Sequence, residues 1–129
     1  MRWLPKLVAA LLCALPLAWA ASAHAEGDPK RGAAVFATQC SECHSAREGK
    51  DRKGPSLFAV LGRKSAANPS FVYSAALKQS GIVWTADRLE AYITQPKKVV
   101  PGGNMKFDGL DQAGERADLL AYLASLSAR

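Results

Sequence analysis

Residues 40–44 of this chain are Cys-Ser-Glu-Cys-His, a Cys-x-x-Cys-His pattern. The pattern is the attachment signature of c-type haem. On one helical turn, side chains three residues apart share a face, so both sulfurs can form thioethers with the two vinyl groups along one haem edge. His44 then lies beneath the porphyrin and offers an imidazole nitrogen to the iron. The motif therefore predicts one covalently bound haem c, held by Cys40 and Cys43.

Other chemistries of a cysteine pair fit this sequence less well. A disulfide across two intervening residues is possible in an oxidising compartment, but a thioredoxin-like redox pair needs a βαβ context, and the sequence has none. A zinc site needs four ligands, whereas only three soft or imidazole donors lie nearby. A chain of 129 residues is also too short for a Rossmann or barrel enzyme.

The first 25 residues are interpreted as a secretory signal peptide. Arg2 and Lys6 precede an apolar run over 7–21, and Ala23-His24-Ala25 offers small residues at the two positions that a signal peptidase reads. We predict cleavage after Ala25, which leaves 26–129 as a single domain in the periplasm, where bacteria attach haem. An uncleaved membrane anchor is the alternative, but no tether separates the run from the first predicted helix.

Capping residues and apolar spacing predict three longer helices, one short helix and long loops. The first predicted helix begins at Asp28-Pro29 and runs through Gln39, and a short helix over 70–79 ends at Gly81. The third is capped by Thr85 and stopped by Pro96. The last helix carries its apolar residues at i, i+3, i+4 and i+7, namely Leu119, Tyr122, Leu123 and Leu126. No alternating strand pattern competes, so the domain is predicted to be all-α. Because loops leave these helices too small a shared core, a large apolar group should fill the middle.

Elimination among the possible donors predicts the second axial ligand of the iron. Outside the leader, His44 is the one histidine and Met105 the one methionine, and Met105 follows the irregular segment Pro101-Gly102-Gly103-Asn104. A core gap-filler is the other interpretation of Met105, and Lys97 and Lys98 are poorer ligand candidates. A thioether opposite imidazole stabilises ferrous iron and raises the reduction potential. Iron closed on both sides favours electron transfer over catalysis, so we do not expect an enzyme.

The chain resembles the class I cytochromes c, in the mitochondrial-like type and its bacterial relatives, from about residue 27 to 126. The matching segments, in order, are Gly54-Pro55-Ser56-Leu57, Gly62-Arg63-Lys64, Phe71-Val72-Tyr73-Ser74, Gly81-Ile82-Val83-Trp84-Thr85, Pro96-Lys97-Lys98 and Glu115-Arg116-Ala117-Asp118-Leu119. The resemblance implies the fold of that family, in which three longer helices, short helices and loops wrap around one haem c.

The resemblance also implies roles for residues around the haem. The Pro55 carbonyl would accept a hydrogen bond from His44. Tyr73 and Trp84 would donate hydrogen bonds to a haem propionate, and Arg63 would help to neutralise its charge. Tyr92 would lie near the Met105 sulfur, and Gly32 would let the first and last helices cross closely beside Phe36 and Tyr122. Three positions depart from the family's common residues, namely Gly103 for Thr, Leu77 for Asn and Asn104 for Lys.

The net charge of +6 suggests electrostatic steering toward acidic redox partners. The candidate lysines are Lys53, Lys78, Lys97, Lys98 and Lys106. We expect a monomeric carrier in a respiratory chain that meets a quinol–cytochrome c reductase and a terminal oxidase or another periplasmic reductase. No nucleic-acid module accompanies the charge, and the domain itself carries no membrane span. The alternatives are a haem subunit of a periplasmic oxidoreductase, a weak peroxidase and a haem sensor.

Overall fold

The computed structural model describes residues 26–127, so the predicted leader lies outside the described residues. The helices are α1 (Pro29–Gln39), α2 (Ala75–Ser80), α3 (Ala86–Thr94), α4 (Pro96–Val99) and α5 (Ala113–Ser125). Within 26–127 there is no strand, and the one extended pairing is an isolated antiparallel bridge between Lys64 and Val83. None of these helices is long and apolar enough to cross a bilayer. The prediction of an all-α domain with extensive loops is confirmed.

The first and last helices cross where a glycine removes the side chain between them. α1 begins as predicted, because the Asp28 side chain accepts from the amides of Lys30 and Arg31 and Pro29 takes the first helical position. A Cβ on Gly32 would overlap the Asp118 carbonyl oxygen of α5 and lie 2.7 Å from the Tyr122 Cβ. The sequence-based expectation of a close crossing at Gly32 is therefore confirmed.

Aromatic packing and an ion pair stabilise the same crossing. The rings of Phe36 and Tyr122 lie 5.5 Å apart, centroid to centroid. Beside them, Arg31 donates from Nε and Nη2 to the buried Asp118 carboxylate at 2.8 and 2.9 Å, and the Asp28 amide donates to it at 2.7 Å. These bonds hold the pKa of Asp118 below its usual range, the Arg31 hydrogen bond being the main cause. The cluster joins the start of α1 to the middle of α5.

Replacing Asp118 with Asn is expected to reduce the loss of the free energy of unfolding that accompanies a fall in pH below about 5. A carboxyl whose folded pKa is depressed contributes its full stability above its unfolded pKa and loses it as the pH falls through the folded value. The wild type should thus lose stability between about pH 5 and pH 3 more steeply than Asp118→Asn. Denaturant unfolding across that range measures the effect. Glu48→Gln is the control, because Glu48 is exposed and has no ion-pair partner within 26–127. If wild type and Asp118→Asn lost stability equally with falling pH, the lowered pKa of Asp118 would be contradicted.

One helix boundary and one additional short helix differ from the sequence-based predictions. The short helix begins at Ala75 rather than near Ser70, because Ser74 is its N-cap and accepts from the Leu77 amide. It ends as predicted, at Gly81 with a φ of 63°. Pro96 does end α3, but it also occupies the first position of α4, where its missing N–H costs no hydrogen bond.

The hydrophobic core is arranged around a cavity. Six of the eight residues in the core cluster also line it, namely Val60, Trp84, Leu89, Ile93, Leu119 and Leu123. The helices therefore share too little side-chain volume to fill the middle by themselves, as the sequence led us to expect. An apolar group inside the cavity would contact most of the core.

Candidate functional site

The Cys-x-x-Cys-His segment forms a compact turn at the end of α1. Cys40 is the C-cap of α1, and the amides of Cys43 and His44 both donate to the Cys40 carbonyl, at 3.0 and 2.8 Å. The turn places Cys40, Cys43 and His44 on the wall of one cavity. The two cysteines are not joined to each other. Burial, with a smaller effect of Cys43, raises the pKa of the Cys40 thiol to about 11.

The imidazole of His44 is oriented by the backbone of the following loop. Its Nδ1 lies 2.7 Å from the Pro55 carbonyl oxygen, so Nδ1 carries the proton and Nε2 is the nitrogen left to bind a metal. Burial lowers the pKa of His44, and the bond to Pro55 opposes part of that shift. Gly54 packs so closely against the ring that a Cβ at this position would overlap Cε1 and lie 2.8 Å from Nδ1. The ring is therefore held from two sides.

A hydrogen-bond network fixes the loop that carries Pro55. The Asp51 carboxylate accepts from the Ser56 amide and from the Asn68 side chain, both at 2.8 Å. The Arg63 guanidinium donates to the carbonyls of Ser56 and Phe58, at 2.9 and 3.1 Å. The loop behind His44 is thereby tied to the segment that leads to Tyr73.

The cavity has a volume of about 440 Å³ and brings all nine predicted site residues together. They are Cys40, Cys43, His44, Pro55, Arg63, Tyr73, Trp84, Tyr92 and Met105. The three positions that depart from the family's common residues line it as well, namely Leu77, Gly103 and Asn104. Lys53 and Lys106 lie at its exposed edge.

Met105 reaches the cavity from a loop that is anchored at both ends. The Gly103 amide donates to the Val100 carbonyl at 3.0 Å, and the Leu110 amide donates to the Ile93 carbonyl of α3 at 2.8 Å. Between these anchors Met105 is half-buried and lines the same cavity as His44. A histidine and a methionine thus come from two separate segments to one cavity, as an iron with these two ligands requires.

The predicted aromatic residues, Tyr73, Trp84 and Tyr92, add hydroxyl and indole N–H groups to the cavity wall. Trp84 is buried, and its ring centroid lies 4.8 Å from that of Tyr92. Burial raises the pKa of the Tyr92 phenol, so the phenol is neutral at neutral pH. The Tyr73 hydroxyl accepts from the Asn68 amide at 3.3 Å, and its ring packs edge-on against Phe71. Arg63 uses two of its five N–H donors on the carbonyls of Ser56 and Phe58, which leaves donors for another acceptor.

These residues fit a covalently attached haem. Two thiols that share one turn can hold one edge of a macrocycle. Imidazole and thioether are the ligand types found on the iron of c-type haem, and His44 and Met105 carry these groups. Apolar core side chains make up much of the remaining wall, which suits the flat apolar ring. Arg63, Tyr73 and Trp84 add the charge and the hydrogen-bond donors that propionates need.

Sequence reasoning did not assign the supporting roles of Gly54 and Asp51. The Gly-Pro pair at 54–55 is a signal that could have identified Gly54, because a glycine before a proline carbonyl allows close approach of another group. Asp51 gives no such signal, since an aspartate in a charged loop resembles any solvated acid. Phe107, Leu89 and Ile93 also line the cavity without having been assigned to it.

Comparison with known proteins gives one consistent family. The family model described as "Cytochrome c" matches residues 29–127. The chain is 46% identical over 98 residues to "Cytochrome c type-1" of Ascaris suum, covering 76% of this chain and 88% of that protein. It is 46% identical over 100 residues to "Cytochrome c2" of Rhodopila globiformis, covering 78% and 94%. It is 44% identical over 105 residues to "Cytochrome c" of Theileria annulata, covering 81% and 90%. The chain therefore belongs to the class I cytochromes c, an electron-carrier family with covalently attached haem c, and Cys40 and Cys43 fit the attachment motif of that haem.

Proposed function

We propose that this protein carries single electrons in the bacterial periplasm, with His44 and Met105 as the two axial ligands of its haem iron. The haem supplies one-electron chemistry by alternating between ferric and ferrous iron. The observation that carries the proposal is that His44, held by the Pro55 carbonyl, and Met105, on its anchored loop, line the same cavity. If His44 and Met105 both held the iron, no coordination position would remain for substrate or peroxide, and the protein would exchange electrons alone.

The other predicted residues tune and shield that electron exchange. Pro55 orients His44 and increases the basicity of the ring through the bond at Nδ1. Tyr73 and Trp84 would donate hydrogen bonds to a propionate, and Arg63 would help to neutralise its charge. Tyr92 would contribute a neutral phenol near the thioether. The apolar core around them excludes water, which keeps the polar reorganisation that accompanies each electron small.

Exposed lysines, two of which line the cavity, would form the surface on which redox partners dock. We define the docking face as Lys53, Lys78, Lys97, Lys98 and Lys106, all of which are exposed. Their positive charge steers the protein toward the acidic surfaces of a quinol–cytochrome c reductase as donor and of a terminal oxidase or another periplasmic reductase as acceptor. A permanently bound subunit would need a large apolar patch, whereas Val72 and Val83 are the large hydrophobic side chains exposed within 26–127.

Cell fractionation tests the proposed location and the proposed partners together. The full chain, produced in a bacterium that attaches haem, should appear as a red monomeric protein in the periplasmic fraction, with Glu26 at its N-terminus. Reduction by membranes that contain the quinol–cytochrome c reductase should slow steeply as the ionic strength rises. A membrane-bound product, an uncleaved leader, or reduction rates that do not depend on salt would contradict the proposal.

A further inference from the structure

Two lysines of the docking face are already paired with acids of the same chain. The Lys53 ammonium lies 2.7 Å from the Glu42 carboxylate, and the Lys97 ammonium lies 2.7 Å from the Asp108 carboxylate. Hydrogen bonds from the lysines lower the pKa of both carboxyl groups, and the bond to Glu42 raises the pKa of Lys53. The carboxylate beside each lysine therefore offsets part of the positive charge that a partner meets.

Both acids lie beside the cavity. Glu42 stands between Cys40 and Cys43, and Asp108 follows Phe107; these three neighbours line the cavity. A redox partner that docks at this edge of the cavity would therefore meet each carboxylate together with its lysine. The same edge carries a neutral side chain, Asn104, immediately before Met105.

The two ion pairs are exchangeable because they lie in water. The four side chains are between 68% and 93% exposed. Pairs of this kind contribute little to stability and are readily replaced by other counter-ions. A partner carboxylate can therefore displace Glu42 or Asp108, but the bond that it breaks offsets part of the attraction that it gains.

We propose that Glu42 and Asp108 compete internally for Lys53 and Lys97, so that the docking face fits a redox partner of modest negative charge rather than a strongly acidic one. The proposal rests on the proposed function as an electron carrier. It implies that association with an anionic partner is slower, and less dependent on salt, than five exposed lysines alone would produce. It also implies that the two acids determine which partners are preferred, without contacting the haem iron.

Electron exchange with small charged reagents tests this proposal. The reduced holoprotein gives one electron to ferricyanide, an anion, or to tris(phenanthroline)cobalt(III), a cation, and stopped-flow absorbance follows each bimolecular rate at low ionic strength. Glu42→Gln and Asp108→Asn should each raise the ferricyanide rate about twofold or more and lower the rate with the cation. Each variant's reduction potential is measured alongside, so that differences in driving force are removed.

Two comparisons separate competition for a lysine from a simple change of net charge. Glu115→Gln removes the same charge from an exposed acid outside the docking face, and it should change the ferricyanide rate less than Glu42→Gln does. In a Lys53→Gln background, the effect of Glu42→Gln should shrink to that of this control. An effect of Glu42→Gln that is the same with and without Lys53, or no larger than that of Glu115→Gln, would overturn the proposal. A protein that exchanges electrons with neither reagent would contradict the carrier function instead.

Discussion

Replacing Met105 with Ala is expected to lower the reduction potential of the holoprotein by at least about 0.1 V. The thioether stabilises ferrous iron more than ferric iron, so its loss favours the oxidised form. The substitution should also open one face of the iron. Carbon monoxide should then bind the reduced variant readily while it leaves the reduced wild type unchanged, and the weak far-red absorption band of methionine bound to ferric iron should disappear.

The neighbouring position supplies a control for this substitution. Asn104→Ala shortens an exposed side chain of the same loop and leaves the thioether in place. It should keep the far-red band, remain closed to carbon monoxide and change the potential far less. Because the loop is anchored at Gly103 and Leu110, neither substitution should unfold it. A Met105→Ala protein that retains the band and the wild-type potential would show that another side chain binds the iron.

Replacing Gly32 with Ala is expected to lower the free energy of unfolding by about 3 kcal/mol. The new Cβ would overlap the Asp118 carbonyl and lie 2.7 Å from the Tyr122 Cβ. Helices α1 and α5 would have to separate, which would weaken the contact between Phe36 and Tyr122 and the bonds of Arg31 to Asp118. Denaturant unfolding of the holoprotein, followed by far-UV circular dichroism, measures the loss.

A second helical glycine makes a matched comparison. Gly114 lies in the first turn of α5, and a Cβ there would meet nothing within 4 Å. Alanine favours the helical conformation over glycine by up to about 1 kcal/mol, and this gain applies to Gly32 and Gly114 alike. Gly114→Ala should therefore leave stability unchanged or increase it. Equal effects of the two substitutions would mean that the helix crossing does not depend on Gly32.

Capping and periodicity in the sequence were sufficient to predict the elements that depend on local chemistry. Asp28 before Pro29 places the start of α1 correctly, and the apolar spacing of Leu119 and Leu123 identifies α5. The start of α2 depends on its N-cap, Ser74, and on contacts within the loop that precedes the helix. The Tyr73 hydroxyl accepts from the Asn68 amide and the ring packs on Phe71. Residues 69–71 therefore form a turn and a bend, and the helix begins only after Ser74 caps it. Apolar periodicity alone does not report such contacts within a loop.

The site was predictable where its chemistry needs particular residue types at particular spacings. The thiol pair and its adjacent histidine define the attachment turn, and elimination left Met105 as the one thioether outside the leader. The supporting contacts depend on three-dimensional proximity. Asp51 is linked to Asn68, seventeen positions further along the chain. Ala66 lines the cavity with a φ of 53°, in the left-handed region that non-glycine residues rarely adopt.

The resonance of the Met105 methyl group gives the most direct test of an iron closed by His44 and Met105. The holoprotein is labelled with carbon-13 at the methionine methyl, reduced so that the iron is diamagnetic, and observed by proton–carbon correlation NMR. A methyl group bound over the centre of a haem lies in the shielding region of the ring current. Binding of the Met105 thioether to the iron predicts one methionine methyl signal far upfield of the normal range. A Met105 signal at the ordinary methionine position in the folded, reduced holoprotein would contradict it.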